Sequence, residues 1–221
     1  MRRSFVSLFM VLAIGGTIGS LAYPVFYSYP HRFDAVKAAI ADPGPLVSTP
    51  WGPLSAADRD LVVQVELDGL WEISAGRQAV EKAPTKEIRD AGRQLVTGHT
   101  DLDKRVREVA KDLAITLPTQ PTSEQQGRLA QLTAAQDGEY RRLFANLLRE
   151  EHGRIFQQLA QVRSSTRNTL VRDLATVADR TELAHISALE RTGYVDFDAV
   201  AQDATVSSAS TPTVLPVPSS P

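Results

Sequence analysis

Three histidines and one glutamate carry the chemistry this sequence has to offer. Glu72, His99, His152 and His185 each fall on the apolar stripe of a different helical pattern, so a bundle of those helices would aim all four inward. Imidazole and carboxylate donors without thiolate suit a transition metal such as zinc, iron, copper or manganese. Cysteine is absent, which excludes thiolate metal sites, disulfides and thiol nucleophiles together. Asp103 lies four residues after His99, and Glu182 lies one helical turn before His185. Each is placed to join such a site or to hold an imidazole in one tautomer from behind. The competing reading is structural: buried polar residues that satisfy one another and fix the register of a long bundle. His31 lies apart from this pattern and has no assigned role.

Four long helices must position these residues. The first runs from about Ala56 to Glu81, with Ser55 and Asp58 forming a capping box. Gly69, Glu72 and Gly76 share one of its faces, and glycine inside a helix costs about 1 kcal/mol relative to alanine. This face predicts a close approach beside Glu72. The second helix runs from Pro84 and Thr85 to about Ile115, with Ile88, Leu95, Leu102, Val106, Val109 and Leu113 as its stripe. A connection of more than twenty residues follows. It holds a short helix capped by Ser123 and Gln126 that breaks at Asp137 and Gly138. The third long helix buries Tyr140, Phe144, Leu148, His152, Ile155 and Leu159. The fourth, from about Thr166 to Arg191, buries Leu170, Leu174, Ala178, His185 and Leu189 and stops at Gly193. Trp71, Tyr140, Phe144 and Phe156 are spaced as core residues.

Short loops make helices one and two, and three and four, antiparallel hairpins, while the long link can travel the length of the bundle. The expected fold is therefore all-α, a ferritin-like four-helix bundle with one long crossover containing a short helix. An up-and-down bundle with an ornamented loop is the competitor. Counting from the loop near Ala83, Glu72 and His99 differ in depth by roughly 7 to 8 Å. Counting from Ser165, His152 and His185 differ by roughly 10 Å, and Glu182 matches His152 better.

The domain organisation follows from composition. Phe5 to Ala22 is almost wholly apolar behind Arg2 and Arg3, long enough to cross most of a bilayer of roughly 30 Å. Residues 1–28 thus read as a transmembrane anchor, or as a signal segment cleaved after Ser20-Leu21-Ala22. Residues 29–54 form a Pro/Gly-rich spacer, 55–197 the bundle, and 198–221 a low-complexity tail expected to be disordered. The domain is expected on the extracytoplasmic face of the cell membrane, or secreted if the segment is cleaved. A net charge of −2 with interspersed signs gives no footprint for nucleic acid. The expected partners are the membrane, through the N-terminal segment, and an envelope protein or cell-wall polymer; Arg163, Arg167 and Arg172 crowd one turn where anionic lipid or polymer could sit. No Gly-x-Ser-x-Gly elbow, phosphate loop or HExxH is present, so a binding role is favoured over catalysis.

Trp51-Gly52-Pro53-Leu54-Ser55 with Asp58-Arg59, then Gly69-Leu70-Trp71-Glu72, His99 with Leu102-Asp103, Leu117-Pro118 with Gln125-Gln126, His152 and His185 together resemble the family called domain of unknown function 4142. The resemblance covers about Trp51 to Phe197. It implies a ferritin-like helical bundle in the cell envelope and carries no agreed biochemical activity. Di-iron ferritins place one Glu on each of two helices and Glu-x-x-His on each of the other two. Only Glu182 to His185 has the Glu-x-x-His form here, since Val96 and Arg149 precede the other two histidines. That single motif motivates a further alternative, a metal-dependent oxidase.

Overall fold

The computed structural model describes residues 45–202. The expected anchor at 1–28 lies outside them, as does most of the spacer and the tail from 203 onward. Among the described residues no helix is long and apolar enough to cross a membrane. The described part contains α1 (Ala56–Lys82), α2 (Lys86–Asp112), α3 (Ser123–Ala134), α4 (Asp137–Ser165) and α5 (Thr169–Glu190), and residues 197–202 are also helical. All four long helices are present where the periodicity places them.

Local chemistry explains the helix ends. Ser55 and Asp58 form the expected reciprocal capping box. The short helix uses Thr122 and Gln125 for the same purpose, one residue earlier than Ser123 and Gln126. Helix α2 stops at Asp112 rather than Ile115 because Ala114 takes a left-handed conformation and the Ile115 amide donates back to the Ala110 carbonyl at 2.8 Å. Helix α5 starts at Thr169 rather than Thr166, since the Asn168 side chain accepts from the Val171 amide. Gly193 lies just past the end of α5 with positive φ, as its position predicts.

Two apolar clusters give the direction of every helix. One joins the start of α1 (Leu61, Val65), the end of α2 (Val106, Ala110), the end of α4 (Leu159, Val162) and the start of α5 (Val171, Leu174). The other joins the end of α1 (Trp71, Ala75), the start of α2 (Ile88, Leu95), the start of α4 (Tyr140, Phe144) and the end of α5 (Leu189). Helices α2 and α4 therefore run the same way, and the link between them returns along the bundle. Helix α3 lies in that link against α1 and α4. Lys82 holds its C-terminal end by donating to the carbonyls of Leu132, Thr133 and Ala135 at 2.9 to 3.0 Å.

The end of the spacer belongs to the folded unit. Val47 and Leu54 form an antiparallel bridge, Leu54 is fully buried, and the Thr169 amide donates to the Trp51 carbonyl at 2.8 Å. Gly52 adopts positive φ with its Cα facing the Arg167 carbonyl, where a side chain would collide. Nearby, Arg163 donates to Thr176 and Arg172 to the Thr166 carbonyl, so two of the three arginines at this turn bind the protein itself. Trp71, Tyr140 and Phe144 are core residues as expected, whereas Phe156 is only half-buried.

The glycines flanking Glu72 differ in role. A Cβ on Gly76 would lie 2.8 Å from the Gly92 carbonyl oxygen, and one on Gly92 would lie 2.7 Å from that of Gly76, so α1 and α2 cross in backbone contact there. A Cβ on Gly69 would meet nothing within 4 Å, so the expected close approach exists only on the Gly76 side. Gly69→Ala is expected to stabilise the fold by up to about 1 kcal/mol through helix propensity. Gly76→Ala is expected to destabilise it, because backbone must move. Urea denaturation of both variants checks the pair; equal shifts in midpoint would contradict the assignment.

Candidate metal centre

A polar layer separates the two apolar clusters. Glu72 from α1, His99 from α2, His152 from α4, and Glu182 with His185 from α5 meet there, each no more than 2% exposed. His152 sits at the middle. Its Nε2 lies 3.1 Å from Glu72 Oε2, 3.1 Å from His185 Nδ1 and 3.5 Å from Glu182 Oε2. His99 Nε2 approaches Glu72 Oε2 to 2.5 Å, and the ring centroids of the three histidines are 4.7 to 5.6 Å apart.

The depth mismatch counted from sequence is smaller in the fold. The α1–α2 turn is centred near Pro84 and the α4–α5 turn near Arg167, which leaves each facing pair about three residues out of register, about 4.5 Å. Helical side chains lean toward their own N-terminus. In each antiparallel hairpin the two partners therefore lean toward each other, and the lean closes the remaining gap.

One ligand atom from each of His99, His152, Glu182 and His185 falls within 4.8 Å of the other three. The set expected from sequence was Glu72, His99, His152 and His185, with Glu182 and Asp103 as neighbours. The structure brings Glu182 into the convergent group and leaves Glu72 at its side, touching His99 and His152. Asp103 is elsewhere. It accepts from Arg107 Nε at 3.0 Å, and Arg107 reaches on to Glu66 at 2.6 Å. His99 Nδ1 has no hydrogen-bond partner, so Asp103 does not set its tautomer. The guanidinium captures the carboxylate because it sits one turn away on the same helix.

The charge balance is unusual for a buried cluster. Burial pushes the carboxyl groups of Glu72, Glu182 and Asp68 well above their ordinary range; repulsion from Glu151 adds to it at all three, and Glu72 repels Asp68 and Glu182, while Arg154 opposes the rise at Glu72 and Asp68. Burial also lowers the imidazoles, His99 to about 4, His185 to about 3 and His152 well below its usual value. All three rings are thus neutral at pH 7, the state in which imidazole binds a metal. The two arginines that act on Glu72, Arg128 and Arg154, are both engaged by Glu151. Arg128 donates to it at 3.0 Å, and Arg154 pairs with it. Glu72 Oε1, Glu182 Oε2 and Asp68 Oδ2 have no hydrogen-bond partner, while Glu72 Oε2 is met only by the imidazole nitrogens of His99 and His152. Such groups buried without partners cost free energy, and a bound cation would remove that cost.

An ion with ligand distances of about 2.0 to 2.1 Å holds its ligand atoms about 3.3 Å apart in a tetrahedron. The separations of 3.1 and 3.5 Å at His152 already match. The 4.8 Å limit for the full set leaves up to about 1.5 Å of closure at its widest pair. The residues present therefore fit a nitrogen- and oxygen-ligated transition metal.

Sequence reasoning missed three contributors. Asp68, one turn before Glu72, is buried and accepts from Gln64 at 2.8 Å and from Gln125 of α3 at 3.3 Å. Its spacing of four residues from Glu72 was the available signal. Glu151, buried beside His152, depends on Arg128 of α3, a partner that no local pattern reveals. Gly98, next to His99, lies against the His185 ring.

The fold and this layer define a class: an all-helical bundle with a buried imidazole and carboxylate cluster between two apolar cores. The family model for Domain of unknown function (DUF4142) matches residues 46–191, and the chain belongs to that family. No curated protein and no solved structure matches it.

Proposed function

We propose that this protein is a ferritin-like, membrane-tethered binding module on the extracytoplasmic side of the envelope that holds one transition-metal ion. His99, His152, His185 and Glu182 would be its ligands, and Glu72 would stand against two of them. The observation that carries this reading is the convergence of four buried ligand atoms from three helices within 4.8 Å of one another. The buried carboxylate oxygens Glu72 Oε1 and Glu182 Oε2, which have no hydrogen-bond partners, support it, as does the parallel run of α2 and α4 across a long link, the connectivity of ferritin-like bundles. The anchor, spacer and envelope partners rest on the sequence, through the apolar stretch from Phe5 to Ala22 and the basic residues before it.

The direct test is elemental analysis of the full chain, purified in detergent without chelator or affinity histidines, beside a His99/His152/His185 triple alanine variant. The expected result is about one metal per chain, absent from the variant. Equal metal content in both, or failure of the parent to take up zinc, iron, copper or manganese on reconstitution, would overturn the reading and leave a structural or partner-binding bundle. Should metal bind, the single Glu-x-x-His pair makes oxidation of added ferrous iron the measurement that separates a binding module from an oxidase.

A further inference from the structure

Helix α1 leads to Glu72 through a polar stripe. Asp60, Gln64, Asp68 and Glu72 follow one another at intervals of four residues, and they pass from exposed Asp60 through half-buried Gln64 to buried Asp68 and Glu72. Buried members of such a stripe are costly unless each polar atom finds a partner. Here the donors run out. Gln64 Nε2 and Gln125 Nε2 both donate to Asp68 Oδ1, at 2.8 and 3.3 Å, and Oδ2 of this 2% exposed residue has no partner. One turn on, the imidazoles of His99 and His152 meet Glu72 Oε2, and Oε1 is bare. Residues four apart on a helix have Cβ atoms about 5 to 6 Å apart, so the two bare oxygens belong to neighbouring carboxylates on one side of α1. Carboxylate oxygens left open in this way are ligands for a cation.

Helix α3 reaches the stripe at Asp68, and its attachment there is polar. Of its twelve residues, Gln125 and Leu132 are buried. Gln125 serves two elements at once: its Oε1 accepts from the Thr122 amide in the α3 capping box, while its Nε2 reaches Asp68. Arg128, three residues further along, lies over the Trp71 ring at 6.0 Å and donates to Glu151, the residue before His152, at 3.0 Å. A helix with little buried apolar surface opens at a lower cost than the elements around it.

We propose that Asp68 Oδ2 and Glu72 Oε1 form a transit site through which a divalent transition-metal cation passes from solvent to the imidazole centre, with Gln125 and Arg128 of α3 holding the entrance shut. This inference rests on the metal reading and adds to it the route of the ion. Asp60 and Gln64 meet the hydrated cation, Asp68 replaces part of its water shell, and Glu72 passes it to the two histidines it already touches. Asp68 lies outside the four converging ligand atoms. A group on the route lowers the barrier in both directions, so its loss slows release as well as uptake. A group that only supports the bound ion has the opposite signature, because its loss quickens release.

The test is zinc exchange by the metal-free full chain in detergent. Uptake is followed by the fall in free zinc that a fluorescent indicator reports, and release by capture with excess chelator. Asp68→Asn keeps the size of the side chain and an acceptor for Gln64 and Gln125 while removing the charge. It is expected to slow uptake about tenfold or more, the scale on which buried charge of one sign raises entry rates, and to slow release with it. Gln125→Ala frees α3 from Asp68 and is expected to quicken both. Uptake by Asp68→Asn at the parent rate would overturn the transit role, and so would faster release, which would make Asp68 a support for the bound ion. Uptake by Gln125→Ala at or below the parent rate would overturn the part given to α3. A parent that takes up no zinc, iron, copper or manganese would remove the metal reading and the route with it, whereas a parent that fills no faster than Asp68→Asn would remove the route alone.

Discussion

Replacing His152 with alanine is expected to lower metal affinity by more than about a hundredfold, beyond the range seen for residues that only support a ligand. His152 Nε2 is the atom nearest to most of the others, within 3.1 to 3.5 Å of Glu72, His185 and Glu182. No neighbour can move into its place, because Leu148 and Ile155 fill the same face of α4 above and below it. The linked stability follows by mass action. A metal at a thousand times its dissociation constant stabilises the native state by about 4 kcal/mol, and a hundredfold weaker site retains only about 1.4 kcal/mol of that. The metal-free variant is also weakened, because truncating a fully buried ring opens a cavity and the Leu148 carbonyl keeps only its helical amide donor. The informative quantity is therefore the difference between metal-loaded and chelator-treated melts for each protein. A variant whose metal-dependent shift equals the parent's would remove His152 from the ligand set.

Trp71→Ala is expected to cost about 3 to 5 kcal/mol, measured by chemical denaturation. The indole is fully buried in the cluster with Leu95, Leu132, Phe144 and Leu148, so truncation opens a cavity where α1, α2, α3 and α4 meet. Its Nε1 has no acceptor, and the ring's use is therefore mainly volume. Trp71→Phe should accordingly lose much less, within about 1.5 kcal/mol if the neighbours repack, since the smaller ring removes an unpaired donor together with part of the packing. If phenylalanine costs as much as alanine, the indole has a role that packing does not explain. The residue is adjacent in sequence to Glu72 yet belongs to a different layer, so metal affinity in Trp71→Phe should stay near the parent value.

The imidazole layer also explains why its members were easier to find than to assemble. His99, His152 and His185 stand out in sequence because each interrupts an apolar stripe of period near 3.6, and all three are buried in the fold. Glu72 is visible by the same logic, reinforced by Gly76. Asp103 has the same spacing signal as Glu182, yet it binds Arg107 at the half-exposed edge of α2 while Glu182 turns into the core. Helical spacing gives the angular position of a residue on its own helix. It does not say which neighbour waits there, and the competition between Arg107 and His99 for Asp103 was decided by that neighbour.

By itself the sequence determined the elements and their inward faces. Hydrophobic period, the Ser55 to Asp58 capping box and Gly193 past α5 act within a few residues and depend on nothing distant. Only the tertiary structure decided which atoms meet. The pairing of helices, the depth at which each hairpin turns, the contact between Gly76 and Gly92, and the fit of His185 against Gly98 are contacts between residues far apart in the chain. The centre depends on offsets of a few ångströms, and a shift of one residue in a turn moves a side chain by about 1.5 Å along the axis. Metal ligation tolerates errors well below that, so the layer became visible as a site only when the helices were packed.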